Sequence, residues 1–180
     1  MQRIRVNRRR IIIESLFILL LLSLIALDQV AKFHFSHTIE LGGRKPVIDG
    51  LLDFAHEINT GASFSVLSGV SWAQTFFKIL TSCVLVVFIF LYVVAIKNKY
   101  RWLKVGLVFI ISGTIGNFID RIAISGVIDF IAFSFFPFVF NFADVFLIVG
   151  AIMLVIHFLF LDKYAIFKRE DANKEISSDE

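Results

Sequence analysis

Four long apolar runs constrain this chain more than any other feature of its sequence. They cover about residues 11–32, 70–96, 102–120 and 141–161. At about 1.5 Å per residue, runs of this length are suited to crossing a hydrocarbon core of about 30 Å. With 58% hydrophobic residues and a mean hydropathy of +0.83 over 180 residues, the chain carries more apolar surface than a soluble domain of its size can bury. The expected fold is an α-helical integral membrane protein with four transmembrane helices. Between the first two, residues 35–69 are punctuated by Gly42-Gly43, Pro46, Asp49-Gly50 and Gly61, and their short, partly alternating runs predict a small β-sheet.

Basic residues set the orientation. Arg3, Arg5, Arg8, Arg9 and Arg10 precede the first run, Lys97, Lys99, Arg101 and Lys104 stand between the second and third, and Lys168 and Arg169 follow the fourth. By the positive-inside rule these segments are cytoplasmic, so both termini lie inside, and the β-rich segment and the connection near residues 120–140 are extracytoplasmic. The net charge of +3 and the pI near 9.1 thus report topology, and no nucleic-acid binding is expected. The first run exceeds a signal-peptide core of about 7–15 residues, and Leu27-Asp28-Gln29 follows it in place of a small-x-small site, so it is expected to stay as an anchor. Residues 1–170 form one membrane-embedded domain in this scheme, and the acidic residues 171–180 a disordered cytoplasmic tail. The single Cys83 allows no disulfide within the chain and is expected as packing filler in mid-span.

Residues 112–144 stand out because Asn117, Asp120, Arg121, Asp129, Asn141 and Asp144 sit there among strongly apolar neighbours. A charge at the centre of a membrane helix costs about 2.5–3.5 kcal/mol or more, so such residues need partners, water or a function. Asp28 and Lys32, four apart near the end of the first run, are spaced for an ion pair. Gly106, Gly113, Gly116 and Asp120 share one side of the third helix, a pattern that lets a neighbour approach closely. Asn117, Asp120 and Arg121 predict a polar ledge at its outer end. Asp129, between Ile128 and Phe130, is poorly solvated, which raises its pKa; it reads equally as an acid in a turn after Gly126. Asn141 is a good N-cap and Asp144 falls at N3, so the pair could simply begin the fourth helix.

Two carboxyl groups with divided protonation suit acid-base hydrolysis, one taking a proton from water and the other hydrogen bonding to a carbonyl oxygen. Which of them holds the proton is a property of the pair. Other constellations are weaker. His34, His37 and His56 form no H-E-x-x-H, so no metal is expected, and no G-x-S-x-G surrounds Ser63 or Ser65. His157 reads as an interfacial side chain. The alternatives are a small membrane transporter or proton channel lined by Asp28, Asp120, Asp129 and Asp144, and a structural subunit whose acids only cap helices. Against the channel, all four acids gather at one end of the spans.

Five motifs in register carry a resemblance. They are Asp28-Gln29-x-x-Lys32, Asn59-Thr60-Gly61-Ala62-Ser63-Phe64-Ser65, Gly113-x-x-Gly116-Asn117-x-x-Asp120-Arg121, Val127-Ile128-Asp129-Phe130 and Phe140-Asn141-x-Ala143-Asp144. Together they resemble the lipoprotein signal peptidase (signal peptidase II) family, with Ser112 where the family usually shows Gly and Ser63 where Ala is more common. The resemblance implies an aspartic endopeptidase of the bacterial cytoplasmic (inner) membrane, with no cofactor, that removes the signal peptide from diacylglyceryl-modified prolipoproteins before the lipidated cysteine. It implies Asp129 and Asp144 as the catalytic pair, with Asp28, Lys32, Asn59, Gly61, Asn117, Asp120, Arg121 and Asn141 supporting the site or holding substrate. The expected partners are prolipoproteins and membrane lipids, and the enzyme is expected to be a monomer. A rim of Phe133, Phe135, Phe136 and Phe138 is expected to keep the entrance continuous with lipid.

Overall fold

The computed structural model describes residues 8–61, 72–97 and 100–161, and its helices follow the apolar runs. They are α1 (Arg8–Thr38), α2 (Ala73–Lys97), α3 (Arg101–Ile124) and α4 (Phe142–Ile156), the last continued by a π-helical turn, His157–Leu161. All four helical stretches are long and apolar enough to cross a membrane. The bounds depart from hydropathy where a helix outlasts the lipid. α1 continues six residues beyond the expected end at 32, and its 31 residues span about 46 Å, more than crossing a core of about 30 Å requires. α3 runs on to Ile124 and stops where Ser125 turns left-handed at φ 54°.

α3 is the centre of the bundle. In its most apolar stretch 67% of residues are buried, against 6% to 17% in the other three, and α1, α2 and α4 all pack on it. A helix surrounded in this way has no polar face to show, which is why its polar residues end up paired inside. The small residues do what their spacing predicts. A Cβ on Gly106 would lie 3.0 Å from Met153 Cβ, one on Gly116 would lie 3.2 Å from Ala143 Cβ, and Gly150 of α4 faces back onto Ile110. Cys83 corrects the expectation made for it: it is exposed on α2 and fills no gap.

The sheet is larger than segment 35–69 alone predicts. Strands β1 (Arg44–Ile48) and β2 (Leu52–Asn59) form the expected hairpin, turning at Gly50 with φ +70°. Two more, β3 (Val127–Phe133) and β4 (Val139–Phe140), come from the connection between α3 and α4, and all pair antiparallel in the order β1-β2-β3-β4. Asp129 therefore lies on a strand and not in a turn. Successive side chains of a strand face opposite ways. Phe130, fully buried, stacks on Phe35 of α1 at 4.7 Å and meets Phe142 of α4 edge-on at 5.2 Å. This aromatic contact fixes the strand, and with it Asp129, against the ends of two helices.

Candidate active site

The start of α4 is where the site is assembled. Asn141 caps the helix by accepting the amide of Asp144 at 3.0 Å, and Asp144 Oδ2 accepts the amide of Asn141 at 3.3 Å, a reciprocal capping box. The same Asn141 donates from Nδ2 to Asp129 Oδ1 at 2.6 Å. The one residue Asn141, fully buried, thus touches both carboxyl groups, Asp129 through its side-chain amide and Asp144 through its backbone N–H, across the twelve residues from 129 to 141 and the three from 141 to 144. Asp129 Oδ2 accepts a second hydrogen bond from Asn59 Nδ2 at 3.3 Å, and Gly61 N–H fixes the other end of that amide by donating to Asn59 Oδ1 at 3.0 Å. Asp144 Oδ1 accepts from Asn117 Nδ2 at 2.9 Å.

Behind this pair lies a buried ionic hub. Lys32 Nζ reaches Asp28 Oδ2 at 2.8 Å, Asp120 Oδ2 at 3.0 Å and Asn117 Oδ1 at 3.0 Å, which uses all three of its N–H donors. Each acceptor does a second task. Asp28 Oδ1 accepts the Ala143 amide at 2.9 Å and so holds the first turn of α4. Asp120 Oδ2 accepts the Ile128 amide at 3.1 Å and so holds β3 one residue before Asp129. Asn117 passes its own Nδ2 to Asp144. Gln29 ties Asp28, Asp120 and the Gly116 carbonyl together at 3.1–3.2 Å.

Arg121 is placed differently from the expected ledge. It donates to the backbone carbonyl of Asn117 at 3.2 Å, lies over the Phe77 ring, and is within electrostatic range of Asp144, Asp129 and Asp120. Every supporting residue singled out in the sequence thus lies in or beside one polar cluster. Sequence reasoning missed Gln29 as a cross-link and the Ala143 amide as the target of Asp28. No local signal marks a contact made 115 positions away.

A cavity of about 590 Å³ opens beside the carboxyl groups and runs along α2, α3 and α4 as far as Phe88 and Ala151. Asp129, Asp144, Asn59, Asn117 and Arg121 line its polar end, and Leu80, Val84, Phe88 and Ile148 its apolar length. Of the four expected rim phenylalanines only Phe138 lines it; Phe133 packs on Phe135, and Phe136 on Phe138 and Phe140. Burial pushes the Asp129 carboxyl up to about 7, and the Asp144 charge adds to this against the opposing hydrogen bonds of Asn141 and Asn59.

The remaining candidates are elsewhere. His56 Nδ1 contacts the Ile39 carbonyl and His37 the Phe33 carbonyl, and no cluster of metal-ligating side chains occurs among the described residues. His157 is buried at the far end of α4 against Tyr100. Ser63 and Ser65 lie outside the described residues.

The family model for Signal peptidase (SPase) II matches residues 20–160. The chain belongs to that family. Lipoprotein signal peptidases of Streptococcus pyogenes serotypes M2 and M5 are each 44% identical over 145 residues, covering 79% of this chain and 92% of theirs. Two solved structures described as a bacterial membrane enzyme superpose with a TM-score of 0.71 at 31% identity; the 1.9 Å structure covers 82% of this chain and is itself covered to 95%. Membership of the signal peptidase II family makes the chain an aspartic protease, and a transporter or channel is not favoured. The acids agree: Asp28, Asp120, Asp129 and Asp144 gather in one cluster at one end of the bundle.

Proposed function

We propose that this chain removes the signal peptide from diacylglyceryl-modified prolipoproteins, with Asp129 and Asp144 as the catalytic pair. The observation that carries it is the single buried Asn141 holding the Asp129 carboxyl with its side chain and the Asp144 carboxyl with its backbone N–H, beside a cavity that continues into the apolar depth of the bundle. A substrate that is itself a membrane helix with acyl chains enters sideways, and the apolar length of the cavity accepts it without a deep aqueous channel. Asp129 carries the proton in the working form. Asp144 takes a proton from water as the water oxygen bonds to the scissile carbonyl carbon, and Asp129 gives its proton to the carbonyl oxygen. Asp144 then gives its proton to the leaving nitrogen while Asp129 takes one back from a hydroxyl of the gem-diol, so the C–N bond breaks and both carboxyl groups return to their starting state, with no covalent enzyme intermediate. Arg121 lines the cavity and offers N–H donors to the carbonyls of the bound peptide.

The basic ends of the helices support a bacterial cytoplasmic (inner) membrane location, with both termini inside and the pair at the extracytoplasmic face. A monomeric enzyme, with residues 1–170 as one domain, is part of the same proposal. Purified protein incubated with a diacylglyceryl-modified precursor and with its unmodified form should shorten only the former. Equal cleavage of both, or of neither, overturns the assignment.

The proton on Asp129 has a pH signature. With its pKa raised from 3.8 to about 7, Asp129 is lost as an acid when the pH passes about 7, so kcat/KM falls on that alkaline limb. The same shift favours the fold in acid: its contribution is complete below about 3.8 and is lost as the pH rises through about 7. Asn59 stabilises the ionised form, so Asn59→Ala should move the limb to higher pH in a kcat/KM profile. A limb that stays in place, or moves to lower pH, removes Asp129 from the role of acid.

A further inference from the structure

At the end of the bundle away from the carboxyl pair, a second cavity of about 230 Å³ lies between the start of α1, the end of α2 and the start of α3. Glu14 and Asp28 are fourteen residues apart on α1, which separates the two sites by about 21 Å along that helix. The cavity is lined by Arg9, Arg10, Lys97, Arg101 and Lys104, with Glu14 the only carboxylate among the described residues that line it. The positive-inside rule explains why basic residues collect near helix ends; it does not require them to line one cleft.

The floor of this cleft is built. Lys104 is buried, bonds Glu14 Oε1 at 2.5 Å and lies 4.5 Å from the centre of the Phe17 ring, and Glu14 also accepts from the Tyr92 hydroxyl at 3.2 Å. Glu14 is therefore committed to Lys104 and Tyr92. Arg10, Lys97 and Arg101 are exposed around the mouth and have no ion-pair partner among the described residues. The start of α3 adds to the positive field. Its first turn holds no acid, its cap Tyr100 makes no side-chain hydrogen bond to it, and Arg101 and Lys104 sit at the end of the helix dipole that disfavours cations. An anion in the cleft would relieve all of these at once.

We propose that this cleft binds the phosphate headgroup of an anionic membrane phospholipid. The shared chemistry is a phosphate anion, and the surroundings select a lipid as its source. Ile13 and Ile96 line the cleft, and Val93, exposed one turn before Lys97, continues apolar surface from it along α2, where acyl chains can lie. Trp102, also exposed, stands beside the cleft as a residue type that marks headgroup depth. The cleft is smaller than the roughly 300–1,000 Å³ of a site that engulfs a whole small molecule, as suits a headgroup whose chains stay outside. The site is independent of the peptidase assignment, because no residue of the carboxyl cluster takes part.

Native mass spectrometry of the delipidated full chain, titrated with phosphatidylglycerol or phosphatidylethanolamine, tests this. Each cation near the surface strengthens anionic-lipid binding about five-fold, so Lys97→Gln/Arg101→Gln should weaken phosphatidylglycerol retention about 25-fold and leave phosphatidylethanolamine unchanged. Arg10→Gln alone should weaken it about five-fold, which keeps the test decisive if the double variant folds poorly. Arg44→Gln/Lys45→Gln, which removes two charges from the sheet at the other end, should have no effect. Equal retention of the two lipids, an equal loss in the sheet variant, or displacement of the lipid by millimolar inorganic phosphate overturns the proposal.

Discussion

Asp129→Asn and Asp144→Asn should each lower the rate of precursor processing by about 10²- to 10⁴-fold while leaving a folded, inserted protein. The side-chain shape is kept in both. What changes is that an amide N–H₂ now faces a donor: at position 129 it meets the Asn141 or Asn59 amide, and at position 144 it meets Asn117 Nδ2 or the Asn141 N–H. One hydrogen bond is lost in each case, worth about 1–3 kcal/mol when the group is buried. Stability therefore moves modestly and rate moves by orders of magnitude.

The double variant sharpens the test. Two groups that share one proton act as a unit, so Asp129→Asn/Asp144→Asn should be no slower than the worse single variant. Losses that multiply would mean that the two carboxyl groups contribute separately. A single variant that still processes at the normal rate would remove that residue from the chemistry altogether.

Much of this site could be seen before any coordinates. The Asp28 and Lys32 pair and the Asn141 and Asp144 cap are local contacts, made within one helical turn, and residue spacing alone predicts them. The glycine stripe of α3 likewise announced a close helix contact. Other features are silent in sequence for identifiable reasons. β3 is buried on both faces over most of its length, so it shows no alternation and reads as a continuation of apolar chain. The true ends of α1 and α3 were hidden because hydropathy records where lipid stops, whereas a helix stops where its backbone loses its next hydrogen bond. Cys83 was misplaced because α2 is apolar on every side, and periodicity then cannot say which face meets lipid. The basic residues of the second cleft were legible as topology and as nothing more, since only folding brings Glu14, Tyr92 and Lys104 together.

Lys32→Met should be the most damaging change outside the pair. It removes the cation bonded to both Asp28 and Asp120, where Lys32 is 1% exposed, Asp28 0% and Asp120 5%, leaving two buried carboxylates without that partner. Breaking a buried pair from one side costs about 3–5 kcal/mol. In a chain of this size that lowers the unfolding midpoint by about 6–20 °C, measurable in detergent. Activity should fall with it even well below the midpoint, because Asp28 steadies the Ala143 amide, Asp120 the Ile128 amide and Asn117 the Asp144 carboxylate, and all three are held by the same ammonium. Lys32→Arg should not restore it, since a planar guanidinium cannot aim three hydrogens at acceptors grouped around a single nitrogen. Neutralising the acids should help instead: Lys32→Met with Asp28→Asn and Asp120→Asn removes the stranded charges, keeps an acceptor oxygen for Ala143 and for Ile128, and should recover most of the lost midpoint. If Lys32→Met unfolds at the original temperature, or the triple variant is no more stable than the single one, the charge on Lys32 is not what holds this end of the bundle together.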